Sequence, residues 1–305
     1  MLPNLLVIGA AKAGTTSLWA YLDAHPDVFM APDKELHFFD LDSNWSRGVD
    51  WYAGHFDGSD GYAIVGEATP AYARYPHRPN AAERAAAVVP DARLIYLVRD
   101  PVERARSHVV HEMRHGRERL DLAAALSANP MYLDTSRYAM QLRQWLAHYR
   151  REAVLVVESE RLRSDPETTL RSIYRFLCVE ELVLPDTIVV NESAQALRSS
   201  PRSQRLRTRS GVRTLAAVTP RTLRAGLKDR IRKREHARAL GAAISPELRA
   251  QLLEQLRPDI EALAALLPPT FTGWGLLGEQ RTATTGAFVS GGAVRGSSLS
   301  SEEAS

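Results

Sequence analysis

Between Gly9 and Ser17 the chain reads Gly-Ala-Ala-Lys-Ala-Gly-Thr-Thr-Ser. Small residues between a strand and a helix expose consecutive backbone N–H groups and the positive end of the helix dipole, which suits a bound phosphate or sulfate. Lys12 adds an ammonium, and Thr15, Thr16 and Ser17 add hydroxyl donors. Gly9 and Gly14 have the spacing of a nucleoside-triphosphatase phosphate loop. That loop needs Lys directly after its second Gly, whereas here Thr15 holds the place and Lys12 lies two residues before Gly14. Of 39 basic residues only four are Lys: Lys12, Lys34, Lys228 and Lys233. A chain that otherwise uses Arg calls here for a compact point charge rather than a planar fork.

Three further segments carry groups able to do chemistry: Lys34-Glu35-Leu36-His37-Phe38-Phe39-Asp40, Gly66-Glu67-Ala68-Thr69-Pro70-Ala71-Tyr72 and Arg99-Asp100-Pro101, which continues to Ser107-His108. Activating a hydroxyl nucleophile needs a carboxylate or imidazole within hydrogen-bond reach. Glu35, Glu67 and His108 all qualify by type. Arg99 ends an apolar strand, and its fork matches a dianionic phosphate. Ser107 follows eight residues later, two turns into the next helix. Taken singly, these residues read as well as a surface ion pair at a strand end, a solvated hydroxyl and ordinary helix side chains.

Taken in order and spacing, the four segments resemble the sulfotransferases that use 3′-phosphoadenylyl sulfate (PAPS), and most closely the heparan sulfate and bacterial branch. The similarity runs from about residue 4 to residue 178, includes SRYAMQLRQWL at 136–146, and resumes at Arg257-Pro258-Asp259-Ile260 and Trp274. The resemblance implies that Lys12, Ala13, Gly14, Thr15, Thr16 and Ser17 form the 5′-phosphosulfate loop, with Lys12 stabilising the leaving oxygen. It implies that Arg99 and Ser107 hold the 3′-phosphate. It assigns Glu35 as general base beside an apolar wall of Phe38 and Phe39, and places His37 and Asp40 on the acceptor side with Lys34, Glu67 and His108 nearby. PAPS would be the co-substrate, 3′,5′-ADP the product, and no metal is implied. Ala68 departs from the branch, which commonly has Lys there. No Arg-Lys-Gly or Lys-Gly-Arg segment provides late 3′-phosphate contacts, for which Arg198, Ser199 and Arg202 are the candidates.

Apolar patterning supplies the elements that must position these groups. Leu5–Gly9, Ala63–Val65, Arg93–Val98 and Ala153–Val157 read as short strands. The continuous apolar runs among them are those of strands buried on both faces. Helices are expected from the phosphate loop onward, after Pro101, over Tyr138–Tyr149, from Pro166 to about Leu177, and over 245–267. Alternating strands and helices predict an α/β fold, a P-loop-like central parallel sheet of four or five strands with helices on both faces. The expected organisation is a single domain over 1–278 containing a basic, lid-like helical segment at 198–245. A disordered Gly/Ser/Thr/Ala-rich tail is expected at 279–305.

The net charge of +3 hides an asymmetry. Residues 198–238 hold 14 basic side chains against Asp229 and Glu235, leaving an acidic body. This segment is read as a solvated helix face, a cofactor lid, a surface for an anionic acceptor, or a peripheral membrane-surface helix. Nucleic acid is not expected, because neither interleaved aromatics nor a recognised motif accompanies the charge. One cysteine, Cys178, excludes an internal disulfide and cysteine-rich metal sites. A cytoplasmic address is expected from the lack of a basic, apolar leader pattern before Leu5. The acceptor is expected to be a small molecule, glycan or lipid. The rival readings are a P-loop small-molecule kinase and a non-catalytic nucleotide-binding module.

Overall fold

The computed structural model describes residues 1–182 and 243–277. The expectations for the 198–245 segment as far as residue 242, for Arg198, Ser199 and Arg202, and for the 279–305 tail lie outside the described residues. Five parallel strands, β1 (Leu5–Gly9), β2 (Val28–Met30), β3 (Ile64–Ala68), β4 (Arg93–Val98) and β5 (Val154–Glu158), form one sheet in the order β2-β3-β1-β4-β5. Every residue of β1 and β3 is buried, so the sheet is covered on both faces. The covering helices are α1 (Thr15–Asp23), α2 (Asp42–Trp45), α3 (Gly48–Ala53), α4 (Ala81–Val88), α5 (Pro101–Arg114), α6 (Leu122–Ala128), α7 (Met131–Asp134), α8 (Tyr138–Leu146), α9 (Ser159–Ser164), α10 (Pro166–Leu177) and α11 (Pro246–Leu266).

Several boundaries move from expectation. The strand expected at Ala63–Val65 runs over Ile64–Ala68, because β1 supplies ladder partners as far as Ala68. The helix expected to reach Tyr149 ends at Leu146. Strand β2 escapes the pattern altogether, since three residues are too few to show a period.

The strand order decides where a ligand can sit. From β1 the chain leaves toward β3 and β2, and from β4 it leaves toward β5. The two carboxyl ends therefore part at the β1/β4 crevice, where open α/β sheets bind ligands. The phosphate loop and Arg99 emerge on either side of that crevice. Ala10 N–H donates across it to the Leu97 carbonyl at 2.7 Å. Gly9 is required there by close approach, since an added Cβ would lie 2.9 Å from the Ala73 Cβ and 3.0 Å from the Tyr96 ring.

A second apolar cluster joins α5, α6, α7 and α11 through residues such as Val102, Val109, Leu126, Tyr132, Leu256 and Ile260. It fixes α5, the helix that brings four polar side chains toward the crevice. The Asp259 carboxylate, from α11, accepts the opening amides of α8 at 3.0 Å (Ala139) and 2.9 Å (Met140), satisfying N–H groups that have no partner within α8. Among the described residues no helix is long and apolar enough to cross a membrane.

Candidate active site

The phosphate loop turns at Lys12 (φ 71°) and Gly14 (φ 96°), both left-handed, and Gly14 caps α1. Thr15 and Thr16 open α1, so their amides have no carbonyl one turn back to bond. The hydroxyls of Thr15, Thr16, Ser17 and Ser107 have no hydrogen-bond partner among the described residues. An anion at this helix start would find amides, hydroxyls and the helix dipole already oriented.

Arg99 and Arg104 hold the loop from beneath. Arg99 donates through Nη1 to the Lys12 carbonyl at 3.3 Å, and its own backbone is clamped by the Tyr138 hydroxyl. Asp100 is not its partner. That carboxylate caps α5 through the amides of Val102 and Glu103 and pairs with Arg249 of α11 at 2.5 Å. Arg104 is fully buried and donates to the Ala11 carbonyl at 3.3 Å, to Ser136 Oγ at 2.6 Å and to the Tyr132 carbonyl. Burial pushes its pKa down to about 10, without a carboxylate to offset the loss of water.

Helix α5 places Arg104, Ser107, His108 and His111 at spacings of three and four, on one face. His108 is buried, with Nδ1 3.3 Å from Arg104 Nη1 and its ring edge-on to Tyr132. Burial first, and then Arg104, pull its pKa down to about 2, so the imidazole is neutral. His111 lies with Nδ1 3.2 Å from Lys12 Nζ. Burial and the Lys12 ammonium lower its pKa to about 4, leaving a neutral ring that accepts from Lys12. Lys12 is itself lowered, chiefly by burial and then by Arg114, while Glu112 and Glu35 act the other way.

Across the crevice, the segment 34–40 is anchored by a buried carboxylate. Glu67, 1% exposed, accepts from Tyr52 at 2.8 Å and Tyr72 at 2.6 Å on one oxygen, and from Thr69 at 2.6 Å on the other. Burial raises its pKa and the three hydroxyls oppose that rise. Two of those hydroxyls in turn accept backbone amides of the segment: Thr69 from Leu36 at 3.0 Å, and Tyr72 from Phe38 at 3.2 Å. Phe38 and Phe39 are wholly buried in an aromatic cluster, Phe38 stacking on Tyr52 at 4.3 Å. These rings secure the segment from behind.

Glu35 emerges half-buried from this anchor. One oxygen lies 3.2 Å from Lys34 Nζ and the other 3.5 Å from His37 Nε2. His37 Nδ1 meets both oxygens of Asp40, at 3.0 and 3.1 Å, and Asp40 is buried with Arg78 at 3.6 Å. The Asp40 hydrogen bond raises the His37 pKa. The result is an Asp40–His37–Glu35 row that ends at the part-exposed Glu35 carboxylate, with Lys34 on its other oxygen.

Sequence reasoning thus located Lys12, Glu35, His37, Asp40 and Arg99 at one crevice, and placed Ser107 and His108 on the adjoining helix. It missed Arg104 and His111, and the anchoring of Glu67 by Tyr52 and Tyr72. The signal for Arg104 and His111 was available as helical spacing from Ser107 and His108. Among the described residues no group of three or more His, Cys, Asp or Glu side chains could hold a metal.

A parallel α/β sheet with a small-residue turn at its switch point, facing a carboxylate–imidazole row, is an architecture of the P-loop-like class. Comparison narrows the class. The sequence profile of the family described as "Sulfotransferase domain" matches residues 2–229, so the chain belongs to the sulfotransferase family and with it to the transferases. It is 30% identical over 202 residues to a human bifunctional heparan sulfate N-deacetylase/N-sulfotransferase 3, covering 58% of this chain and 22% of that protein. It is 32% identical over 204 residues to a mouse heparan sulfate glucosamine 3-O-sulfotransferase 3B1, covering 63% and 50%. The chain therefore spans from under a quarter to half of the length of these relatives. A crystal structure of a sulfotransferase from Alicyclobacillus acidocaldarius superposes with a TM-score of 0.63 at 28% identity, covering 87% of this chain and 96% of that one.

Proposed function

We propose that this protein transfers the sulfuryl group of PAPS to a hydroxyl of a small-molecule, glycan or lipid acceptor and releases 3′,5′-ADP. The observation carrying this reading is that the Glu35 carboxylate lies near enough to the Lys12 ammonium of the small-residue loop to act on it, so both groups serve one crevice. The donor-side residues suit the anion: hydroxyls on Thr15, Thr16, Ser17 and Ser107 and opening amides of α1 that have no partner among the described residues, the Lys12 ammonium and the Arg99 fork.

In the reaction Glu35 takes the proton of the acceptor hydroxyl as its oxygen bonds to sulfur. The bond between sulfur and the 5′-phosphate oxygen breaks. Lys12 stabilises the charge left on that oxygen, as electrostatic catalysis requires. His37, held by Asp40, keeps the Glu35 carboxylate aimed. Arg104 supports the loop through the Ala11 carbonyl, while Glu67 anchors the base-bearing segment. His108 is too enclosed to meet an acceptor and serves packing. An amine acceptor would use the same groups, and product analysis distinguishes the two.

The kinase alternative lacks a lysine after Gly14, and the binding-module alternative leaves the Glu35 chain without a task. The reading is tested by calorimetry with 3′,5′-ADP and 5′-ADP. Binding of 3′,5′-ADP at least tenfold tighter is expected, with Arg99→Ala reducing the difference. Equal binding of the two nucleotides by the unmutated protein would remove the basis for a PAPS site.

A further inference from the structure

Among the described residues near the crevice, Arg74 is a part-buried cation with no ion-pair partner. It follows the turn Pro70–Tyr72, and its backbone is held tightly. Ala73 N–H donates to the Ile8 carbonyl at 3.0 Å. Gln141 bonds both the N–H and the carbonyl of Tyr75, at 2.6 and 2.7 Å. Arg74 Nε is buried without a hydrogen-bond partner, and the guanidinium forms no ion pair among the described residues.

A buried donor left unbonded is destabilising, the more so when it belongs to a charged group. Its surroundings show what could meet that demand. Burial lowers its pKa, and the charges acting on it most are the carboxylates of Glu35 and Asp40. Both are already engaged: Glu35 by Lys34 and His37, Asp40 by His37 and Arg78. Glu112, the next carboxylate in its field, is paired with Arg117 at 2.5 Å. Arg74 is therefore a spare, part-buried fork in the field of Glu35 and Asp40. A guanidinium in that condition is best satisfied by a planar or tetrahedral oxyanion, which it grips through two parallel hydrogen bonds.

We propose that Arg74 is the specificity-determining residue of this chain: its guanidinium binds an oxyanion substituent, a carboxylate or a sulfate, on the acceptor beside the hydroxyl addressed by Glu35. This rests on the sulfotransfer reading above. It also gives the site an acceptor-side cation from the 73–75 segment, where position 68 offers only the buried Ala68.

The test is calorimetry on protein saturated with 3′,5′-ADP, using probes that differ in charge on one scaffold. The pairs are methyl β-D-glucuronide against methyl β-D-glucoside, and 4-hydroxybenzoate against 4-hydroxybenzamide. Methyl glucoside 6-sulfate distinguishes a sulfate from a carboxylate. At least one charged probe should bind ten times more tightly than its neutral match. Arg74→Gln should shrink that preference to within twofold, and Arg74→Lys should keep part of it, with 3′,5′-ADP affinity unchanged in both. No charge preference in the unmutated protein, or a preference that survives in Arg74→Gln, overturns the proposal. If Arg74→Gln fails to fold, Arg74→Lys must still lose part of the preference, and full retention overturns the proposal equally. Failure of the unmutated protein to bind 3′,5′-ADP would instead sink the sulfotransfer reading. The charge pairs on nucleotide-free protein would then still report on Arg74.

Discussion

Replacing Tyr72 with Phe removes one oxygen that does two jobs. The hydroxyl donates to Glu67 at 2.6 Å and accepts the Phe38 amide at 3.2 Å, both in fully buried surroundings. A hydrogen bond to a charged group contributes about 1.5–3 kcal/mol, and an orphaned buried amide costs about 1–3 kcal/mol. The loss expected for Tyr72→Phe is then roughly 3–5 kcal/mol. Tyr52→Phe is the internal control, since Tyr52 donates to the same Glu67 oxygen at 2.8 Å but its hydroxyl holds no backbone amide of the 34–40 segment. It should cost only about 1.5–3 kcal/mol.

Urea unfolding at neutral pH measures both. A linkage check comes with it. Glu67 has a folded-state pKa raised above 4.5, so its folded form binds more protons between that value and the raised one, and stability falls as pH rises through this window. Removing a hydroxyl that stabilises the carboxylate raises the pKa further and extends the falling window upward. Tyr72→Phe should also lower turnover more than Tyr52→Phe, because Phe38 lies three residues from Glu35. Equal destabilisation by the two variants, within about 0.5 kcal/mol, would refute the idea that Tyr72 couples the Glu67 anchor to the base-bearing segment.

Other outcomes follow from the same geometry. The His111 ring should titrate near pH 4 by NMR, and Lys12→Ala should move it upward but short of 6.5, because burial is the larger cause. An unmoved His111 signal would separate the two groups. His37 should titrate above 6.5, and Asp40→Asn should lower it. The stability from this pair is fully present below the unfolded pKa and is lost as pH rises through the folded value, so a wild-type stability advantage over Asp40→Asn that grows with pH would count against it. Gly9→Ala forces a methyl to 2.9 Å from Ala73 and should cost about 1–3 kcal/mol in chemical denaturation while weakening 3′,5′-ADP binding. Unchanged affinity would show that the loop tolerates displacement.

Much of this arrangement was legible in the chain because its signals are local. Leu5–Gly9 and Arg93–Val98 are continuous apolar runs, and the small residues from Ala10 to Gly14 mark the turn between strand and helix. The parallel sheet followed from their alternation with helices. The hidden parts depend on contacts between distant residues. Nothing near Glu67 in sequence announces Tyr52, fifteen residues earlier, as a partner. Arg104 and Arg74 are two among many arginines, and only packing reveals that one is fully buried against Ala11 and Tyr132 while the other keeps an unbonded Nε. The Phe38-Phe39 pair was recognisable as apolar, but its stacking on Tyr52 depends on α3, whose six residues carry little periodicity.

The central claim is that Glu35 removes the acceptor proton opposite a PAPS loop led by Lys12. Transfer of labelled sulfuryl from PAPS to an acceptor panel, comparing the unmutated protein with Glu35→Gln, addresses it most directly. The expected result is transfer by the unmutated protein and a fall of at least about a hundredfold in Glu35→Gln, the scale of a general base, with 3′,5′-ADP binding retained. Near-unmutated transfer by Glu35→Gln would contradict the account.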